Sequence, residues 1–282
     1  MAIFYNQATL SYNGTVTNSN VTTGELIASL GITKNAISTS YGSDDGVSYV
    51  ISILNSTATP LTGLTLVDDL GAYTVGTNTV YPLTYSDGSM RAYVGGSEVT
   101  VPTISATQPL TLTGITIPAS ESLMLVYEAT TNAYTPLATG STVTNTATVS
   151  GTLGDASASA TVVAGESTDL TIAKAICPDT VTAGESVTYT FIIQNTGNTA
   201  ADAGANVTIS DVFTPALSSV TVTLDGATLP ATDYTYNEAT GEFATLSGVT
   251  TVPAASYTQD PVTGLVTMTP GVTVITVTGT IA

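Results

Sequence analysis

Apolar and polar residues alternate over short runs along most of this chain. LTGLTLVDDL (61–70), LTLTGITI (110–117), SLMLVYEA (122–129), VTYTFIIQN (187–195) and VTVITVTGTI (272–281) are the clearest cases. A period of two puts one set of side chains on one face of a strand and the next set on the other. Gly, Asn, Asp and Pro break the runs at intervals suited to a β-sandwich, and no stretch keeps a helical period. The pattern predicts an all-β protein.

The runs recur. GITKNAIS around Lys34 matches TIAKAICP around Lys174, and VSYVISILNST (47–57) matches VTYTFIIQNTG (187–197). Lys174 stands 140 positions after Lys34, and Val187 the same distance after Val47. Further on, TLVDD (65–69) matches TISDV (208–212), AYVGGSEV (92–99) resembles VTLDGATL (222–229), and SLMLVYEA pairs with VITVTGTI (274–281). Two tandem domains are expected, 30–163 and 170–282, joined by the short polar linker 164–169.

The first copy continues through STVTNTATVSGTLGDASASATVV (141–163), for which the second copy shows no counterpart. The second domain therefore reads as a sandwich lacking its closing strand or strands, with apolar core and sheet edge left open. A candidate for the missing piece lies at the other end. IFYNQATLS (3–11) resembles VTNTATVS (143–150), with Asn6 on Asn145, Ala8 on Ala147 and Leu10 on Val149. Residues 1–29 are thus expected to form a donor-strand arm, with Phe4, Asn6, Ala8 and Leu10 on one face, that fills the gap in a neighbouring copy. Such a head-to-tail contact does not close and builds a filament. Folding of the arm onto its own second domain, or a disordered tail, are the alternatives.

The run TIAKAICPDTVTAGESVTYTFIIQNTGN, followed by VTISD and, in the first copy, TNTATV, resembles the domain-of-unknown-function eleven repeat. The resemblance covers about 30–282, more clearly in the second copy; the first lacks the Pro and Gly of PDTVTAGE. It implies Ig-like β-domains of prokaryotic surface proteins, and no reaction.

Composition narrows the function. Hydrophobic content is 43%, enough for a packed core, while charged residues are 9%, far below the usual quarter. The net charge of −18 argues against nucleic acid or an anionic membrane as partner. Histidine is absent, which removes most general-base, triad and zinc chemistry and makes an enzyme of the usual kind a remote reading. No cofactor and no metal site are expected: the acidic pairs Asp44–Asp45 and Asp68–Asp69 lack the spacing of a calcium loop and read as turn residues. Cys177 cannot make an internal disulfide and is expected to be a small buried residue, with an inter-subunit disulfide as the alternative. Arg91 reads as a surface residue, and the four Asn-x-Ser/Thr triplets as chance in a Thr-rich chain. No basic, apolar leader is visible and no apolar run is long enough to span a bilayer.

The chemistry rests on strand parity. Lys34 shares a face with Leu30, Ile32 and Ala36; Lys174 shares one with Leu170, Ile172 and Ile176. Asp68 aligns with Leu64 and Leu66, Asp211 with Val207 and Ile209, and Asn145 with Val143 and Ala147. Each domain is expected to bury one Lys, one Asp and one Asn, the set needed for a spontaneous isopeptide bond. Burial favours the free amine of lysine, which is a nucleophile, and a neighbouring buried carboxyl favours its neutral form and shuttles protons. The expected bonds are Lys34–Asn145 within the chain, assisted by Asp68, and Lys174–Asn6 between chains, assisted by Asp211. An ordinary buried Lys–Asp pair accounts for the Lys and Asp but not for the recurring Asn. Glu128, on the opposite face from Leu125 and Tyr127, is the runner-up carboxyl. The expected function is a homopolymeric structural subunit of an extracellular cell- or spore-surface filament; the alternative is a monomeric surface adhesin or ligand-binding fragment.

Overall fold

The computed structural model describes residues 2–26 and 29–281, with side chains from 5 to 23 and from 29 onward. It is all-β, with a single 3₁₀ turn among the described residues, at Ala203–Ala205. The chain divides into two compact units. One comprises 1–135 with 142–163, and the other 136–141 with 164–282.

The arm is not a lone strand. Strands β1 (Ala2–Asn6) and β4 (Thr22–Leu26) pair antiparallel, and β2 (Thr9–Tyr12) pairs with β3 (Thr15–Asn18), so residues 2–26 run as one two-stranded hairpin. Its turn is Asn13–Gly14, both with positive φ (48° and 77°), the combination that a tight hairpin of matching twist demands. Every described side chain of the hairpin, from Tyr5 to Thr23, is exposed.

The first unit is a sandwich of two sheets. One has the order β13 (Ser97–Val99), β12 (Arg91–Val94), β16 (Ser122–Thr131), β7 (Gly46–Asn55), β5 (Leu30–Ala36), with β11 (Leu83–Tyr85) also on β16. The other runs β14 (Thr103–Thr107), β15 (Leu110–Ile117), β8 (Leu61–Asp68), β17 (Thr142–Gly151), β18 (Gly154–Ala164), β6 (Ser40–Tyr41). A small hairpin of β9 (Tyr73–Val75) and β10 (Asn78–Val80) lies outside both. The alternation read from the sequence is the burial pattern: Val47, Tyr49, Ile51 and Ile53 of β7 and Leu123, Leu125 and Tyr127 of β16 point inward. They face Leu64 and Leu66 of β8, Leu112 and Ile115 of β15, and Val143, Ala147 and Val149 of β17.

The second unit repeats half of this plan in full and half in part. Its larger sheet runs β19 (Leu170–Cys177), β20 (Ser186–Asn195), β28 (Gly271–Ile281), β22 (Leu217–Leu224), β23 (Ala227–Thr228). Opposite it stand only β21 (Ser210–Val212), β25 (Glu242–Thr245) and β24 (Tyr234–Tyr236), with a separate hairpin of β26 (Ser256–Gln259) and β27 (Val266–Thr269). The core gathers Phe191, Phe213, Phe243, Ile193, Ile275 and Val277. Pairing also corrects the repeat alignment. Tyr127 lies opposite Tyr49, while Val277 lies opposite Tyr189, the counterpart of Tyr49. SLMLVYEA therefore matches a segment two residues earlier than VITVTGTI, and the second unit carries valine where the first has Tyr127.

Candidate functional site

Strand β5 places Lys34 on its inward face, and the residue is 5% exposed. Asp68 ends β8 fully buried, and Asn145, also fully buried, comes from β17. The structure brings all three together. Lys34 Nζ donates to Asp68 Oδ2 at 2.5 Å. The phenol of Tyr127, from β16, joins them: its O–H donates to Asp68 Oδ2 at 2.6 Å, and its oxygen accepts from Asn145 Nδ2 at 3.0 Å and Lys34 Nζ at 3.3 Å. The ammonium also lies 4.8 Å from the ring centre of Tyr49, within cation–π range.

The local chain holds this geometry. Leu70 N–H donates to Asp68 Oδ1 at 3.1 Å in a turn where Leu70 and Gly71 both take positive φ. A Cβ on Gly71 would fall 2.5 Å from Val143 Cγ1, so glycine lets β17 come close. Asp69 clamps β17 from both sides of Thr146: its N–H donates to the Thr146 carbonyl, and its carboxylate accepts from Thr146 N–H at 2.8 Å. Asn145 is fixed one residue away.

Burial sets the electrostatics. It pushes the Lys34 ammonium below the 10.5 of a free lysine, against the opposing charge and hydrogen bond of Asp68 and the charge of Asp69. Burial, followed by the charge and hydrogen bond of Asp68, holds Tyr127 protonated far above its ordinary range. The Tyr49 hydroxyl is raised as well, chiefly by burial, with a hydrogen bond to Asn145 pulling the other way. Neither that hydroxyl nor Asn145 Oδ1 makes a well-formed hydrogen bond, although both are buried. A buried carbonyl without a well-formed partner costs roughly 1–3 kcal/mol.

The second unit holds the same pair in the open. Lys174 Nζ donates to Asp211 Oδ2, but the two side chains are 41% and 20% exposed. Tyr189, Phe213 and Phe191 surround the ammonium, with ring centres at 4.6, 5.4 and 5.5 Å. The expectation that Lys174 is buried is corrected: all of β19 is exposed, Ile172 at 59%. The reason is cover. Lys34 is shut in by Asp68, Asn145 and Tyr127 within a complete sandwich, while Lys174 has Asp211 and the three rings beside it and, among the described residues, no strand in the place of β17. Cys177, expected to be buried, is exposed, and strand alternation puts it on the opposite face of β19 from Lys174.

Asn6, Ala8 and Leu10 are exposed on the arm. Phe4 pairs through its backbone with Gly24, and its side chain lies outside the described residues. Glu128 points outward, as its parity indicated. Arg91 sits at the surface, 3.8 Å from Glu98. No cluster of three metal-ligating side chains, and no helix long and apolar enough to cross a membrane, occurs among the described residues. The group that sequence reasoning missed is Tyr127. Its parity with Leu123 and Leu125 was the available signal, because a tyrosine on a buried face needs a partner for its hydroxyl.

No protein-family model and no curated protein matches the chain. Solved structures do. BcpA, the major pilin subunit of Bacillus cereus, is 12% identical over 96% of this chain and 73% of its own, with a TM-score of 0.36. A C-terminal fragment of the Streptococcus agalactiae major pilin GBS80 is 11% identical over 79% and 78%, TM-score 0.33. The Streptococcus pneumoniae pilus backbone RrgB is 12% identical over 86% and 55%, TM-score 0.32. At these identities and scores the likeness is confined to the all-β class.

Proposed function

We propose that this chain is a structural subunit of an extracellular cell- or spore-surface filament, assembled head to tail by donation of the N-terminal arm and locked by Lys–Asn isopeptide bonds. One contrast carries the reading. The same Lys–Asp pair occurs twice, closed around an Asn in the first unit and open in the second, and a spare Asn of matching context sits on an exposed arm. The domain-of-unknown-function eleven resemblance accords with a surface role.

The bond-forming step balances without any further reactant. Lys34 passes a proton to Asp68 along the 2.5 Å hydrogen bond. The free amine attacks Cγ of Asn145, a new C–N bond forms, and the Cγ–Nδ2 bond breaks. Asp68 returns the proton to the departing nitrogen, which leaves as ammonia, and then takes up the second proton of the attacking amine, so the new amide nitrogen keeps one hydrogen. Tyr127, touching all three groups, holds the amine and carboxamide beside the carboxyl and lends an O–H to the negative charge. The protein is its own substrate and turns over once. In the second unit Lys174 and Asp211 wait in water until Asn6 of an incoming arm covers them; covering desolvates the amine at the moment its target arrives.

Deleting residues 2–12 tests the assembly reading. The full chain should form filaments in negative-stain images and the truncated chain should not. Filaments of unchanged appearance from the truncated chain overturn it.

A further inference from the structure

We infer that the donated element is the whole hairpin Ala2–Leu26, not its first strand, and that it docks on the second unit of another copy with Ala8 opposite Asp211. The inference rests on the donation reading above and specifies its geometry.

In the first unit the sandwich is closed by a hairpin. Strand β17 lies on β8 with Ala147 opposite Asp68, Thr148 opposite Val67 and Val149 opposite Leu66. Strand β18 pairs along the whole of β17 and carries the sheet on to β6, where Val163 N–H reaches the Thr39 carbonyl at 3.0 Å. Both strands contribute to the core: Val143, Asn145, Ala147 and Val149 from β17, Ala160, Val162 and Ala164 from β18.

The second unit lacks both halves of that closure. Strand β21 pairs with β25 on one edge, and among the described residues nothing pairs with its other edge. Thr180–Val181 stand 140 positions after Ser40–Tyr41 and form no strand. In the first unit that segment is a strand because β18 pairs with it. A single donated strand would satisfy β21 and leave 180–181 unpaired; a hairpin satisfies both.

The arm has the required form. It is a hairpin with a tight turn, and its first strand carries Asn6, Ala8 and Leu10 where β17 carries Asn145, Ala147 and Val149. Leu10 is 64% exposed, and Val16 and Val21 on the return half are exposed too. A two-stranded hairpin is marginal in water until it finds a sheet to join. The filament is then one kind of closed sandwich repeated, whether its closing hairpin comes from the same chain or the next.

Transfer of the β17–β8 register gives Thr9 opposite Ser210 and Leu10 opposite Ile209. This places Asn6 at Lys174, as Asn145 stands at Lys34. Two measurements test it. Hydrogen exchange on assembled against unassembled protein should show slowing of roughly a hundredfold or more in residues 3–11, in 15–26 and at 180–181. Single-cysteine chains Thr9→Cys and Ser210→Cys, mixed in a Cys177→Ser, Lys174→Ala background and oxidised, should form a reducible cross-link between copies, while Ser11→Cys with Ser210→Cys should not. Slowing confined to 3–11, or cross-linking through residue 11 in preference to residue 9, overturns the hairpin register and leaves strand donation standing. Assembled protein with no slowing anywhere in the arm overturns donation itself, and this inference with it.

Discussion

Replacing Asn145 with alanine removes the electrophile of the first unit while leaving the Lys34–Asp68–Tyr127 group in place. If the amide forms, it closes the loop from Lys34 to Asn145. In the chain-entropy treatment of cross-links, a loop of about 100 residues is worth about 4.7 kcal/mol. The variant also loses the polar contact to the Tyr127 phenol, made at 3.0 Å by Asn145 before the amide forms and by the amide N–H after it, and gains a small void, together about 1–2 kcal/mol. The total, about 6 kcal/mol, corresponds to a fall of about 25 °C in the melting temperature of a domain this size, at about 4 °C per kcal/mol. Without the amide only the smaller part is lost, and the fall is about 4–8 °C. Scanning calorimetry reads the shift, and intact mass reads the bond: the natural chain should be lighter than its sequence by one ammonia, the variant not at all. A natural chain at its full sequence mass, with a variant melting within about 8 °C of it, refutes the reasoning.

Tyr127→Phe keeps the packing and removes the phenol that touches all three reacting groups; ammonia loss from freshly synthesised chain, followed by mass spectrometry, should slow by about 10–100-fold. The same time course should depend on pH through Lys34. The reacting pair needs one proton shared between Lys34 and Asp68, and burial places the loss of that proton from Lys34 below 10.5; the rate should be level with pH up to that point and fall about tenfold per unit above it. A rate that keeps climbing to 10.5 contradicts the assignment of Lys34 as the nucleophile. Asp68→Ala strands a buried ammonium and should cost about 3–5 kcal/mol in denaturant unfolding, with no ammonia loss. Lys174→Ala should leave filaments that assemble but dissolve to monomers in boiling detergent, each monomer still lighter by the ammonia of its first unit.

Much of this was legible in the chain. Strand parity put Lys34, Asp68 and Asn145 on inward faces, and the side chains meet there because alternation in a strand leaves a residue no other place to go. The same parity misjudged Lys174, and the expectation that Cys177 is buried, drawn from its residue type, overlooked that it faces away from Lys174. Which face of a strand points inward is local information, but how fully that face is covered depends on partners elsewhere, and among the described residues the second unit has no strand in the place of β17. Tyr127 was passed over because a tyrosine among alternating leucines looks like one more apolar position; its role comes from the hydroxyl, which only three-dimensional neighbours reveal. The arm was read as one strand because its match to 143–150 ends near residue 11. The Asn13–Gly14 turn that makes it a hairpin follows directly afterwards, and its return half, Thr15–Leu26, shares little residue-by-residue likeness with β18. The two-residue slip in aligning VITVTGTI arose because a shift of two preserves the alternation, so parity alone cannot detect it.

The account stands or falls on a covalent joint between neighbouring copies. Purified filaments should be boiled in detergent and denaturant, resolved on a gel, and the bands digested for mass spectrometry. The expected result is a ladder of multimers containing a peptide in which Asn6 of one chain is joined to Lys174 of the next, lighter by one ammonia than its two halves. Clean dissolution to monomer, with Asn6 and Lys174 both recovered unmodified, contradicts it.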